Sequence, residues 1–172
     1  MANLCFEDRL NRYIFLYYLD RHQNGKRMPY GERLNICEYV LNQALQRMIE
    51  GRNKHTPLGC EFSIQNVCLE AKIKPQNLYR SNFHYEELTQ KIKQQEMLRR
   101  KALLRKALSD FLLDMDAYIG VYGFRLSLQF LMKNAGLSKD QVYALTIPMN
   151  DLYKELKEAQ STFRKYKAKQ AA

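Results

Sequence analysis

Tryptophan is absent from this chain of 172 residues, which has only seven glycines, four prolines and four cysteines. With so few chain-breaking residues, and with Leu, Gln, Lys, Arg, Glu and Ala filling the spaces between them, the chain reads as all-α. No apolar run reaches the roughly 18 residues that mark a membrane span, and the start (Met1 to Asp8) lacks the basic-then-apolar layout of a signal peptide. The expectation is a cytoplasmic protein with no membrane association, nucleoid-associated if bacterial. Cys5, Cys37, Cys60 and Cys68 form no CxxC pair and no disulfide-framework spacing, so reduced thiols are expected. Also missing are a P-loop, an HExxH helix and a nucleotide-binding glycine triplet, and His22, His55 and His84 have no partner at a catalytic spacing. His55, Cys60, Cys68 and His84 are too scattered for a structural zinc site. Asp110, Asp114 and Asp116 read as a polar helix face rather than a nuclease site. No enzyme, metal or cofactor is implied.

What the chain does have is positive charge and a core. It carries 28 Lys and Arg against 18 Asp and Glu, a formal charge of +10, on a sequence that is 46% apolar. That charge on a chain able to fold points to a polyanionic partner, nucleic acid first. Helical spacing of apolar residues marks a first segment over about Glu7–Arg21, a second over about Gly31–Ile49 closed by Gly51, and a long helix from Tyr85 to about Met115. Residues 52–59 read as a loop. The aromatic stretch Tyr13 to Leu19 is apolar almost all round, to be buried on the rest of the molecule or used as a dimer interface.

Comparison of the chain with itself gives the most specific signal. Residues 62–101 align without gaps on 126–165, with eight identities: Ser63/Ser127, Gln65/Gln129, Ala71/Ala135, Tyr79/Tyr143, Leu88/Leu152, Lys93/Lys157, Arg100/Arg164 and Lys101/Lys165. Upstream, at an offset of 63, Val40 to Leu45 lies on Leu103 to Leu108. A tandem duplication of one small helical unit follows. The expected organisation is an N-terminal helix (1–30), a first repeat (31–97), a second repeat (98–165) and a basic tail (166–172), with the run Arg164 to Lys169 expected as a disordered, nonspecific arm.

Each copy has a helix-turn-helix layout. In the first, Ser63 caps a helix through Ala71, Lys72-Ile73-Lys74 turns, and a second helix runs from Pro75 to about Asn82. In the second, Ser127 is the cap, Ala135-Gly136-Leu137-Ser138 the turn and Lys139–Ala144 the second helix. Ala71, Leu78-Tyr79-Arg80 and Glu86-Glu87-Leu88 stand at the spacing of the DNA-binding unit of the tetracycline-repressor (TetR) family, which Ser63–Leu88 resembles. The chain departs from that pattern at Lys72, where the family has a turn glycine, at Asn82 and at Tyr85. A second copy stands where the family has its ligand-binding domain. The same pattern is similar to the short TnpC-like accessory proteins of tyrosine recombinases. Both resemblances imply double-stranded DNA as partner.

On that basis the candidate DNA contacts are Ser63, Lys74, Gln76, Asn77 and Arg80 in the first copy and Ser127, Ser138, Lys139 and Gln141 in the second. Gln and Asn can pair with adenine, Arg with guanine, and a capping Ser with phosphate. Arg99 and Arg100 on the long helix either track the phosphate backbone or form its solvated face. Residues 62–101 have a net charge of +4 and 126–165 of +2, so the first copy is the stronger candidate. The rival reading is a protein-protein adaptor whose repeats are structural; RNA binding is a third.

Overall fold

The computed structural model describes residues 30–73, 85–143 and 149–170, with side chains for all of these but 30–36 and 143. Every regular element among them is a helix: α1 (Tyr30–Ile49), α2 (Ile64–Ala71), α3 (Glu86–Leu113), α4 (Asp116–Ile119), α5 (Leu128–Asn134), α6 (Lys139–Tyr143) and α7 (Asn150–Gln170). The expected helices over 31–49 and 64–71 are present, the one expected over 139–144 is present over its described residues 139–143, and the long helix ends two residues before Met115. The N-terminal segment 7–21 and the second helix of the first copy (75–82) lie outside the described residues.

The elements start and stop for local reasons that recur. Ser63 and Ser127 have extended backbones, and each Oγ accepts the N–H three residues on, Asn66 and Phe130, both at 3.2 Å. At the other end, α2 and α5 close through residues in the left-handed region, Lys72 (φ 56°) and Gly136 (φ 65°). The Ile73 N–H then reaches the Cys68 carbonyl and the Leu137 N–H the Met132 carbonyl, both at 2.9 Å. These are the paired bonds of a Schellman stop, and they coincide at the offset of 64 residues. So do the turns before the caps. The Cys60 N–H donates to Pro57 and the Phe124 N–H to Val121, with Gly59 and Gly123 at φ 73° and 72°. Gly51 (φ 66°) ends α1 as its position in the sequence predicted.

Two separate apolar clusters result. The first packs Leu41, Ala44, Leu45 and Met48 of α1 against Val67 and Cys68 of α2 and Leu88 and Ile92 of α3. The second packs Leu104, Ala107, Leu108 and Phe111 of α3 against Leu131 and Met132 of α5, Val142 of α6, and Leu152, Leu156, Ala159 and Phe163 of α7. Phe111, Tyr118, Phe124, Phe130 and Phe163 interlock there, with ring centroids 4.8–5.8 Å apart. Equivalent positions share burial: Leu41 with Leu104, Val67 with Leu131, Leu88 with Leu152 and Ile92 with Leu156.

The long helix therefore closes the first cluster and opens the second. Leu88 and Leu104, sixteen residues apart, lie about 160° from one another around the helix axis at 100° per residue. This is why α3 shows no single apolar face along its length. It also means that the expected repeat boundary at 97/98 falls inside one continuous helix. The basic tail differs from expectation as well. α7 runs on to Gln170, and the Tyr166 hydroxyl donates to Asp116 at 2.8 Å, so the described part of residues 166–172 is ordered helix and not a loose arm.

Candidate nucleic-acid interface

In both copies a hollow lies between the first short helix and its turn, and in the second copy the capping Ser127 lines it. Ser127, Gln129, Phe130, Lys133, Leu137 and Lys139 line the second, which is open to solvent. Gln65, Asn66, Leu69, Lys72 and Ile73 line the first at matching repeat positions, joined by His55. The side-chain oxygens of Ser63 and Ser127 accept backbone N–H groups, which leaves each hydroxyl hydrogen able to donate to an anion. Lys72 and Lys133 are exposed at the two hollows. Lys139 and Asp140 are exposed side by side at the start of α6. Lys74, Gln76, Asn77 and Arg80 lie outside the described residues.

Ser138 and Gln141, expected as DNA contacts, bond to one another's backbone. The Ser138 Oγ accepts the Gln141 N–H at 3.2 Å while the Gln141 Oε1 accepts the Ser138 N–H at 2.8 Å. This reciprocal capping box starts α6. A two-bond contact with adenine needs both the oxygen and the nitrogen of the carboxamide. The oxygen of Gln141 is already engaged, so its role here is to hold α6 rather than to present a free amide.

Arg99 and Arg100 are neither a phosphate-tracking pair nor a solvated face. Both turn inward onto Glu96, whose carboxylate is buried. Arg99 donates from Nε and Nη2, both at 2.8 Å, and Arg100 from Nε at 2.6 Å. The Phe62 N–H completes the set at 2.7 Å. Burial pushes the Glu96 carboxyl up, but Arg99, the Phe62 N–H and Arg100 outweigh it and hold it below its ordinary value. Beyond Glu96, Arg99 reaches the Gly59 carbonyl (3.3 Å) and Arg100 the Gln141 carbonyl (2.7 Å). Lys101 pairs with Asp151 and Arg105 with Glu155.

The second copy leaves the same positions uncommitted. Gln160 stands where the first copy has Glu96, and its amide donates to the Leu126 carbonyl at 2.8 Å, the counterpart of the Phe62 bond. Without a carboxylate at that point Arg164 is exposed, and neither it nor the exposed Lys165 forms an ion pair among the described residues, whereas Arg100 pairs with Glu96 and Lys101 with Asp151. With Lys154 and Lys157 they place four exposed cations on the face of α7 opposite Leu152, Leu156, Ala159 and Phe163.

A second buried carboxylate, Glu70, went unrecognised in the sequence. It accepts the N–H groups of Lys54, His55 and Thr56 at 2.9, 2.8 and 3.0 Å, the Thr56 hydroxyl at 3.0 Å and the Arg47 Nε at 3.1 Å. Burial raises its pKa, yet these donors win and bring the carboxyl to about 2. The signal was available for both. Glu96 continues the buried stripe Leu88, Ile92 by one more turn, and Glu70 follows Val67 by three residues on the inner face of α2.

Among the described residues no three His, Cys, Asp or Glu side chains gather as metal ligands, and no helix is long and apolar enough to cross a membrane. The Cys68 thiol is pushed up to about 11 by burial, with the neighbouring Cys37 adding to the shift, and it packs as a small apolar group. No family model, curated protein or solved structure matches this chain.

Proposed function

We propose that this chain is a non-enzymatic, sequence-specific double-stranded DNA-binding protein, a transcriptional regulator or an accessory factor in recombination or transposition. The observation that carries the reading is the repetition of one device in a chain of charge +10. A serine-capped short helix and a left-handed turn occur twice, 64 residues apart, with a hollow beside each short helix. In the helix-turn-helix mode, the second helix enters the major groove and the cap of the first meets phosphate. Lys74, Gln76, Asn77 and Arg80 then read bases in the first copy. Ser63, Ser127, Lys72, Lys133 and Lys139 hold phosphates. The α7 cations Lys154, Lys157, Arg164 and Lys165 take the backbone role that Arg99 and Arg100 cannot. A helix of 28 residues is ~42 Å long at 1.5 Å per residue, enough to set two units about one groove repeat (~34 Å) apart.

Fluorescence anisotropy against pools of duplex DNA at several salt concentrations tests the proposal. Affinity should fall steeply with log salt, and the combined variant Gln76→Ala, Asn77→Ala, Arg80→Ala should lose sequence preference. Absence of salt-dependent binding rejects it. The adaptor reading draws on a different observation: Leu113, Val121 and Tyr122, close in sequence around α4, are exposed apolar side chains, Tyr122 fully so. If Leu113→Ser and Tyr122→Ser abolish binding to a partner protein while DNA binding is absent, the adaptor reading replaces the first.

A further inference from the structure

Between the two apolar clusters, α3 buries no apolar side chain after Ile92 and before Leu104, and polar interactions take over. They form a continuous chain of hydrogen bonds. The Phe62 N–H, next to the Ser63 cap of the first unit, donates to Glu96. Glu96 holds Arg100, and Arg100 donates to the Gln141 carbonyl of α6 in the second unit. Gln141 in turn caps α6 through Ser138. The Arg100 fork thus gives a side-chain donor to a backbone carbonyl of α6. The guanidinium donates from two separate nitrogens, toward the carboxylate with Nε and toward the carbonyl with Nη1, whereas an ammonium would have to reach both acceptors from one nitrogen.

We propose that Glu96 and Arg100 are positioning residues that lock α6 of the second unit to the start of α2 in the first, and so set the distance between the two DNA-binding surfaces. This rests on the DNA-binding reading above. It differs from an ordinary stabilising ion pair in what it predicts. Breaking it should relax the preference for one spacing between half-sites rather than weaken binding at every site alike. Arg99, which also binds Glu96 but turns back to the Gly59 carbonyl of the first unit, should not have that effect.

Two measurements on the full chain, one without DNA, separate the outcomes. In amide hydrogen exchange, Arg100→Ala should speed exchange of residues 139–143 at least tenfold and leave 60–64 as in wild type. Glu96→Gln should speed both segments. Arg100→Lys, which keeps the charge and loses the fork, should behave as Arg100→Ala and guards against a variant that merely misfolds. For the second measurement, a duplex is selected by the wild-type chain from a random 40-base-pair library and lengthened at its centre by five base pairs, half a helical turn. Wild type and Arg99→Ala should lose at least tenfold in affinity on that insertion, Arg100→Ala and Arg100→Lys threefold or less. If exchange over 139–143 is unchanged in both Arg100 variants, the lock does not exist. Altered exchange with undiminished discrimination against the insertion shows a brace that does not set spacing, which also overturns the proposal. If the wild-type chain selects no duplex, the DNA-binding reading fails and the spacing role falls with it, while the exchange result still reports whether α6 is held.

Discussion

Replacing Glu70 by Gln removes the charge from a carboxylate that five donors converge upon, three of them successive backbone N–H groups of the 54–56 loop. The magnitude follows from proton linkage. The carboxyl lies at about 2 in the folded chain against an ordinary value of 4.5, and each pH unit of difference is worth ~1.4 kcal/mol, so ionised Glu70 stabilises the fold by about 3 kcal/mol at neutral pH. Because the folded-state value is depressed, that contribution is complete above the ordinary value, declines as the pH falls from 4.5 toward 2, and is gone below both. Urea denaturation of wild type and Glu70→Gln, followed by helical circular dichroism, should give a gap of about 3 kcal/mol at pH 7, closing to about half at pH 3. A carboxamide also turns an N–H₂ group toward donors it cannot satisfy, which can only widen the neutral-pH gap. A gap under about 1 kcal/mol at pH 7, or one that stays constant down to pH 3, would refute the account of Glu70 as the anion that organises the loop.

The two left-handed turns should respond with opposite signs. Lys72→Gly relieves a side chain held at φ 56° and should raise stability by about 0.5–1 kcal/mol, while Gly136→Ala, where no neighbour crowds the new methyl group and only the φ of 65° resists it, should lower it by about 1 kcal/mol. Thermal unfolding of the pair decides, and shifts of the same sign would contradict the strain argument. Leu131→Ala empties a fully buried position and should cost about 2–5 kcal/mol, against less than about 0.5 for Gln129→Ala two residues away on the exposed side, as read by urea midpoints. Removing Lys154, Lys157, Arg164 and Lys165 together should reduce the slope of log affinity for DNA against log salt by about 3.6, at ~0.9 for each phosphate no longer neutralised. Removing Lys101 and Arg105, which Asp151 and Glu155 already neutralise, should scarcely change that slope.

The features legible in the sequence were those set by local rules. Ser63, Ser127, Gly51 and Gly136 act where their chemistry placed them, because a cap or a left-handed turn depends on a few neighbouring residues. The duplication was visible because buried positions keep their character, and the structure extends it to turns at Gly59 and Gly123 that the aligned segments did not include. Charge was harder to read. Arg99 and Arg100 look like any basic pair on a helix until the position of Glu96 on the buried stripe is taken into account, and the reach of Arg100 to Gln141 spans 41 residues, which no local pattern contains. For Gln141 the local pattern itself carried the structural role. Its partner Ser138 is three residues away, at the Ser-x-x-Gln spacing of a capping box.

Because α3 belongs to both units, the number of residues between its two buried faces behaves like the thread of a screw. One residue added between Arg100 and Leu104 would turn everything beyond it by about 100° and advance it by about 1.5 Å, swinging Leu104, Ala107, Leu108 and Phe111 away from α5 and α7. The shortest insertions that return the face to within about 20° of its present direction are of seven or eleven residues. Loops elsewhere in the chain can change length over time at small cost. This stretch cannot, and a lineage that began by copying one unit would have been bound from then on to the residue count at which the copies were first joined.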